Sequence, residues 1–243
     1  MRAMILAAGL GTRLRPLTDA LPKPLLPIAG RPLIVWNLLL LRRHGITDVI
    51  INLHHLGHLI EQALGDGSPF GMRIVYSKEP VLLGTGGGLK QAESFFGGEP
   101  CVVLNGDTLF DMNLDDLAAV HRESCAVATM AVRADPEPER WGAVEVDARH
   151  HVIRINGRGK DPEGQIAKRM FAGVHLMHPR LLADVPAGRD SSIIEAYVRA
   201  IQAGETIAGC ELPGYWSDIG TPERYAQAQR DAEAGLINLA SRE

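Results

Sequence analysis

The chain opens with AMILAAGLGTRLRP, residues 3–16, where an apolar segment runs directly into a turn that holds two glycines and two arginines. The apolar residues 3–7 are typical of a buried strand. Gly9 and Gly11 allow the backbone that follows to come close to an anion and to aim its N–H groups at it. A strand that ends in such a turn predicts an α/β fold with an anion site at the strand's carboxyl end.

The positive side chains around this turn indicate which anion it binds. Arg13 and Arg15 in the turn, and Lys23 a few residues later, supply countercharge for several phosphates. A dinucleotide-binding turn needs a third glycine at the place of Leu14, and the P-loop pattern is absent from this turn. The pattern therefore favours a nucleoside triphosphate, and the alternative is an ordinary glycine turn with solvated arginines.

The composition is that of a globular protein without a general attraction to polyanions. Hydrophobic residues make up 46% and charged residues 22% of the 243 residues, and the formal net charge is −4. This charge predicts neither nucleic-acid nor membrane binding. Three scattered cysteines, at positions 101, 125 and 210, show neither a zinc spacing nor a disulfide framework. We expect a reduced, cytoplasmic setting and no signal peptide.

The pattern of predicted elements changes along the chain. Strand-like and helix-like segments alternate over the first half, which is typical of a parallel sheet with crossover helices. The predicted strands of this half are residues 3–7, 48–53, 72–77 and 101–104. From about residue 131, shorter strands joined by tight turns predict an antiparallel lobe. We predict one domain with a nucleotide-binding half, an acceptor lobe and a C-terminal helix, at residues 1–130, 131–220 and 221–243.

Three more features lie at predicted strand ends. The glycine cluster at 84–88 stands between a strand and a helix, and Asp107 follows the next strand in the run Asn105-Gly106-Asp107. Because ligands bind at the carboxyl ends of parallel strands, these loops should meet the first glycine turn in one crevice. Asp218 lies between an aromatic pair and a capped helix. Two such carboxylates suit Mg²⁺, and the alternative role for each is a turn cap.

Taken in order, these runs resemble the signature runs of the sugar-1-phosphate nucleotidyltransferases. The resemblance rests on residues 6–16, 22–24, 84–87, 105–107 and 216–223, and it extends from residue 1 to about residue 225. In length and sequence pattern the chain is similar to the shorter members. These include the N-acetylmuramate-1-phosphate uridylyltransferases and the mannose- or heptose-1-phosphate guanylyltransferases.

The resemblance implies both a fold and a reaction. The fold is a Rossmann-like α/β arrangement with a mixed, mainly parallel sheet, crossover helices and a small antiparallel acceptor lobe. In the reaction, a phosphate oxygen of a sugar 1-phosphate attacks the α-phosphorus of an NTP with the help of Mg²⁺, and pyrophosphate leaves. The alternative is a catalytically silent protein that binds nucleotide sugars. We expect a monomer or a homodimer.

The resemblance also implies roles for single residues. Arg13 would hold the departing phosphates, Lys23 would lie near the α-phosphate, and Asp107 and Asp218 would carry Mg²⁺. The implied nucleotide contacts are Leu6, Ala7, Ala8, Gly9, Gly11, Thr12, Arg13, Lys23, Glu79, Gly84, Thr85 and Gly86. The implied sugar-phosphate contacts are Asn105, Trp141, Gly142, Asn156 and Lys160.

Two positions bear on the choice of substrate. Glu79 stands where relatives that use pyrimidine nucleotides often carry glutamine, and its carboxylate complements the N–H donors of guanine, which favours GTP over UTP. The alternative is an exposed surface glutamate. The family's Glu-Lys-Pro run is replaced here by INGRGK, residues 155–160, so the sugar stays open. Either Lys160 or Arg158 would contact the sugar phosphate.

Overall fold

The computed structural model describes residues 1–237, which form two compact units, each assembled from separate stretches of chain. The first unit comprises residues 1–82, 104–112 and 214–237, and the second comprises residues 83–103 and 113–213. These units differ in their bounds from the predicted halves, and the predicted division of labour stays a prediction.

Short strands and helices make up most of the two units. In chain order, the strands are β1 (Arg2–Leu6), β2 (Pro27–Ile28), β3 (Arg31–Pro32), β4 (Asp48–Leu53), β5 (Arg73–Lys78), β6 (Cys101–Asn105), β7 (Thr108–Phe110), β8 (Ala128–Arg133), β9 (Ala143–Asp147), β10 (Val152–Ile155), β11 (Arg158–Gly159), β12 (Ile166–Met177), β13 (Ile207–Glu211) and β14 (Trp216–Asp218). The helices are α1 (Leu33–Arg43), α2 (Gly57–Leu64), α3 (Gly84–Gln91), α4 (Glu93–Phe96), α5 (Leu114–Glu123), α6 (Ile193–Gln202) and α7 (Pro222–Glu233). Within residues 1–237, no helix has the length and apolar character needed to cross a membrane.

The first unit contains a parallel sheet that positions the predicted phosphate turn. β1 pairs with β4 and β4 pairs with β5, all in parallel, so that Leu6, Asn52 and Ser77 lie side by side at the carboxyl ends of the three strands. The centres of β1 and β4 are buried, as expected for strands covered on both faces. Helices α1 and α2 separate these strands in sequence. The predicted parallel, crossover architecture is confirmed.

The C-terminal helix is shorter than predicted. Thr221 caps α7, since its side-chain oxygen accepts a hydrogen bond from the Arg224 backbone N–H at 3.4 Å. The helix ends at Glu233, and Gly235 follows with a φ of +71°, a backbone conformation that stops a helix. The predicted helix at 221–243 therefore does not include residues 234–237, and the predicted residues 238–243 lie outside the described part of the chain.

The second unit contains the predicted antiparallel strands. β12 pairs antiparallel with β8 and with β9, and β9, β10 and β11 continue as antiparallel neighbours. β13 pairs in parallel with β8. β12 has twelve residues and is longer than the short strands predicted for this half, because it extends back along β9 to Ile166. The unit confirms the antiparallel part of the predicted α/β class.

Candidate functional site

The glycine turn after β1 contains two glycines that serve different purposes. Gly11 has a φ of +65°, and a Cβ there would lie 3.0 Å from the Thr18 side chain and 3.4 Å from Lys23 Cβ. The hydroxyl of Thr18 donates to the Gly11 carbonyl at 2.8 Å, which fixes the turn. A Cβ at Gly9 would have no protein atom within 4 Å. The fold therefore requires glycine at position 11, whereas position 9 faces open space.

Lys23 and Asp107 form a close ion pair beside this turn. Lys23 lies at the start of a short 3₁₀ turn and is only 8% exposed, and its Nζ lies 2.6 Å from Asp107 Oδ2. The backbone N–H of Gly106 donates to the Leu6 carbonyl at 2.9 Å, which holds the Asp107 segment against the end of β1. A Cβ at Gly106 would lie 2.7 Å from that same carbonyl, so glycine is required for this approach.

Asp218 lies on the strand that pairs with the one after Asp107. β14 and β7 are antiparallel, with Asp218 opposite Thr108, and the Ile219 N–H donates to the Asp107 carbonyl at 2.9 Å. Asp218 Oδ1 lies 2.5 Å from Nη1 of Arg224, on the first turn of α7. The two predicted metal ligands are thus neighbours in one backbone ladder, and each carboxylate has a cationic partner.

The two arginines of the first turn have different surroundings. A Cβ at Gly220 would overlap Asp218 Oδ1 and lie 3.1 Å from Arg13 Nη2, so the Arg13 guanidinium lies close to the Asp218 carboxylate. Arg15 is mostly exposed and its Nε lies 3.3 Å from Asp19 Oδ1. Arg13 is therefore part of the charged cluster, whereas Arg15 has the surroundings of a solvated loop arginine.

A buried polar network joins the ends of β1, β4 and β5. Asn52 Oδ1 accepts from the Ala7 backbone N–H at 2.7 Å, and Asn52 Nδ2 donates to Glu79 Oε1 at 2.7 Å. The ring of His54 bonds to the Glu79 carbonyl through Nδ1 at 2.8 Å, so that nitrogen carries the proton. Glu79 is 3% exposed, and the alternative of a surface glutamate is wrong. Asn52 was not predicted, although an amide at the end of an apolar strand is a usable signal.

The second glycine cluster lies in the second unit and is helical. We predicted a turn before a helix, but Gly84–Gln91 is the helix α3 itself, which is a correction to the sequence analysis. The Gly86 N–H donates to the Ser191 carbonyl at 2.7 Å, and Thr85 Oγ1 accepts from the Ile193 N–H at 2.9 Å. A Cβ at Gly84 would overlap Asp190. Close packing against the start of α6 is thus one reason for these glycines.

Four of the five residues predicted for the acceptor lie in the second unit: Trp141, Gly142, Asn156 and Lys160. A Cβ at Gly142, which has a φ of +85°, would lie 3.1 Å from Asn156 Oδ1, so these two residues are neighbours. Trp141 directly precedes Gly142, and Arg140 Cζ lies 5.7 Å from the centroid of the Trp141 ring. Asn105, the remaining acceptor residue, belongs to the first unit, where its carbonyl accepts from Asn37 Nδ2 at 3.4 Å.

Arg158 and Lys160 have different surroundings in the second unit. Arg158 binds Glu195, in the first turn of α6, through two hydrogen bonds of 2.6 and 2.8 Å. Lys160 lines a cavity of about 430 Å³ together with Ile201 and Glu205 near the helix's carboxyl end. The guanidinium of Arg158 therefore already has an anionic partner, whereas Lys160 faces a cavity.

The donor set of the Asp107–Asp218 pair fits Mg²⁺. Both side chains offer carboxylate oxygens, and they sit on hydrogen-bonded neighbouring segments. Within residues 1–237 there is no group of three or more His, Cys, Asp or Glu side chains placed to hold a metal ion. Mg²⁺ needs no such group, because it binds through one or two carboxylates together with phosphate oxygens and water.

Comparison with known proteins decides the family. A family model described as nucleotidyl transferase matches residues 2–235. The chain belongs to this family. N-acetylmuramate alpha-1-phosphate uridylyltransferase of Neisseria meningitidis is 36% identical over 250 residues, with 96% of this chain and 99% of that protein covered. A mannose-1-phosphate guanylyltransferase of Mycobacterium tuberculosis is 32% identical, and the alignment covers 96% of this chain but 65% of that protein.

A solved structure gives the same result for the fold of this nucleotidyltransferase. A provisionally named glucose-1-phosphate thymidylyltransferase from Bacillus anthracis, in complex with sucrose, superposes with a TM-score of 0.82 at 26% identity. The superposition covers 96% of this chain and 95% of that one. The predicted family, α/β fold and enzyme class, that of the sugar-1-phosphate nucleotidyltransferases (EC 2.7.7), are confirmed.

Proposed function

We propose that this nucleotidyltransferase moves a uridylyl group from UTP to a sugar 1-phosphate in a Mg²⁺-dependent reaction. The observation that carries the proposal is the charged cluster of the first unit, where Lys23 and Asp107 are paired and Asp218 lies on the adjoining strand. This cluster stands beside a glycine turn whose Gly9 has open space next to it. Such an arrangement suits a triphosphate and a divalent cation.

The proposed chemistry needs no nucleophile from the protein, because a phosphate oxygen of the sugar 1-phosphate is already anionic. That oxygen forms a bond to the α-phosphorus, the bond from this phosphorus to the bridging oxygen breaks, and pyrophosphate leaves. Lys23 balances charge at the α-phosphate, and Arg13 binds the departing phosphates. The N–H groups of the glycine turn orient the nucleotide. Such preorganised charges lower the barrier without covalent participation.

Asp107 and Asp218 are the residues proposed to hold Mg²⁺. When bound there, the ion supplies positive charge next to the phosphate oxygens. The two carboxylates are kept in place by the β7–β14 ladder and by the bond from Ile219 to Asp107. Gly220 leaves room for the Asp218 carboxylate and the Arg13 guanidinium at the same position.

Two considerations favour UTP over GTP. The guanine argument needs an accessible Glu79 carboxylate, but the residue is 3% exposed and its Oε1 accepts from Asn52 inside the protein. A relative that is covered over 99% of its own length, the Neisseria meningitidis protein, is a uridylyltransferase. We propose N-acetylmuramate α-1-phosphate as the first acceptor to test, with Asn105, Trp141, Gly142, Asn156 and Lys160 as its contacts. The glycines and Thr85 of α3 are proposed to contact the nucleotide.

The test is a matrix of the four NTPs, each labelled at the α-phosphate, against several sugar 1-phosphates. Release of pyrophosphate and transfer of label to the sugar are measured with Mg²⁺ and with EDTA. The proposal predicts the highest turnover with UTP and loss of turnover in EDTA. Preference for GTP would overturn the choice of base. Binding of UTP without release of pyrophosphate by any pair would overturn the catalytic proposal in favour of a silent nucleotide-sugar-binding protein.

A further inference from the structure

The partner of Asp218 is an arginine that the sequence analysis did not consider. Arg224 Nη1 lies 2.5 Å from Asp218 Oδ1, and the two side chains are 22% and 18% exposed. An ion pair so shielded is less weakened by water and salt than one on the open surface. Arg224 is therefore a defined partner of this carboxylate.

The helix that carries Arg224 is anchored independently of this ion pair. The hydroxyl of Tyr225 donates to the Pro27 carbonyl at 2.9 Å, and Gln229 Nε2 donates to the same carbonyl at 2.7 Å. Gln229 Oε1 in turn accepts from the Ala29 N–H at 3.1 Å. β2 and β3 are antiparallel and form a hairpin. The side chain of Gln229 thus donates one hydrogen bond to this hairpin and accepts another from it. These bonds hold the first two turns of α7 in place, so the guanidinium of Arg224 is presented to Asp218 by a fixed support.

The pairing gives each carboxylate of the proposed metal pair its own cation. Asp107 is paired with Lys23 at 2.6 Å and Asp218 with Arg224, and the Arg13 guanidinium also lies close to Asp218. Without these cations, two carboxylates on neighbouring strands would repel each other. A divalent cation that takes Asp218 Oδ1 as a ligand competes with Arg224 for the same oxygen.

We propose that Arg224 is the built-in counter-ion of Asp218 and that it sets the affinity of the site for divalent cations. Arg224 acts on the metal indirectly, as a residue that positions Asp218, because the group it contacts is the Asp218 carboxylate. The guanidinium holds the Asp218 carboxylate in place before the metal arrives, and it lowers the affinity for the metal by competing with it. The inference rests on the proposed role of Asp107 and Asp218 as metal ligands.

The test compares Mn²⁺ binding to the metal-free wild-type protein and to Arg224→Gln, measured by electron paramagnetic resonance of free Mn²⁺. Loss of the competing charge should lower the Kd for Mn²⁺ about two- to tenfold, the range expected for removing one shielded ion pair. Arg224→Gln should also have a lower Tm in EDTA and a larger rise of Tm on adding Mn²⁺. Arg224→Lys, which keeps the charge, should stay closer to wild type.

The matched control is Arg230→Gln on the same helix, because Arg230 bonds to Gln227 at 2.6 Å and not to the site. It should leave the Kd for Mn²⁺ unchanged. Equal or weaker Mn²⁺ binding by Arg224→Gln would overturn the inference. Asp218→Asn separates this failure from that of the metal site. If wild type binds Mn²⁺ as weakly as Asp218→Asn, the proposed metal pair fails too, whereas if only Asp218→Asn binds poorly, the metal pair stands.

Discussion

The two units of this nucleotidyltransferase differ in how their polar side chains are paired and buried. In the first unit, charged groups pair with one another at strand ends, as in Lys23–Asp107 and Arg224–Asp218. In the described part of the second unit, the ring nitrogens of His175 and the hydroxyl of Tyr197 are buried without hydrogen-bond partners. Several charged pairs of that unit, such as Arg158–Glu195, are exposed. The first unit therefore holds an assembled charged site. Within the residues described, the second unit buries His175 and Tyr197 without hydrogen-bond partners beside a hydrogen-bonded His121–Thr129 pair, and it carries ion pairs such as Arg158–Glu195 at its surface.

Removal of Lys23 should have the largest effect and tests whether the assembled cluster is catalytic. Lys23→Ala should reduce kcat about 100- to 1,000-fold, since a preorganised charge contributes about 3 to 4 kcal/mol to transition-state stabilisation. The readout is pyrophosphate release under saturating UTP and sugar 1-phosphate. Arg15→Gln is the matched control, because Arg15 lies in the same region and pairs with exposed Asp19, and it should keep most of the activity. A Lys23→Ala enzyme with more than a tenth of wild-type turnover would contradict the proposed role.

Substitution of the two turn glycines should separate ligand contact from folding. Gly9→Ala should leave the Tm unchanged, because the added Cβ meets no protein atom within 4 Å. It should weaken UTP binding about ten- to a hundredfold, the cost of disturbing hydrogen bonds to a charged group. Gly11→Ala should lower the Tm as well, since its φ of +65° strains any other residue.

Equilibrium binding of UTP and thermal unfolding are the measurements for both variants. Unchanged UTP affinity in Gly9→Ala would show that the open space beside Gly9 is not where the nucleotide lies.

His175 should make the second unit sensitive to acid. Burial lowers the pKa of this side chain to about 3, whereas it is about 6.5 in an unfolded chain. Between these values the unfolded state binds more protons, so stability falls as the pH falls. The expected loss from this group is about 2 kcal/mol between pH 7 and pH 5. Urea unfolding at both pH values measures it.

His175→Phe should flatten this pH dependence, because the ring keeps its stack on Phe171 but no longer titrates. His58→Gln, at an exposed position of α2, is the control and should keep the wild-type slope. An equally steep slope in His175→Phe would mean that other groups cause the acid sensitivity.

The smallest effects are expected at the two cations predicted for the sugar phosphate. Lys160→Ala should raise the KM for the sugar 1-phosphate about tenfold, since it removes a hydrogen bond to a charged group. Arg158→Gln should change that KM by less than about twofold, because its guanidinium is engaged by Glu195 at the surface. Initial rates over a range of sugar 1-phosphate concentrations decide between them. A larger rise of the KM in Arg158→Gln than in Lys160→Ala would place the acceptor phosphate at Arg158 instead.

The sequence predicted the elements of the fold with good accuracy where the pattern is local. The strands at 48–53 and 101–104 were recognised from their apolar runs. The glycine cluster at 84–88 was misread as a turn, because glycine favours turns and its helical state depends on packing against the start of α6. Glu79 was weighed as a surface residue, because its burial follows from a partner on another strand.

What the sequence determined by itself was the order of elements and the kind of chemistry. Three features could be recognised because each depends on residues close together in the chain: the alternation of apolar segments, the glycine turn followed by Arg13 and Lys23, and the two isolated aspartates. Only the tertiary structure decided which groups meet. The ladder between β7 and β14, the Asn52 bridge and the Arg224–Asp218 pair join residues that are distant in sequence or on different elements. Such contacts depend on strand register and helix placement, which side-chain pattern alone does not specify.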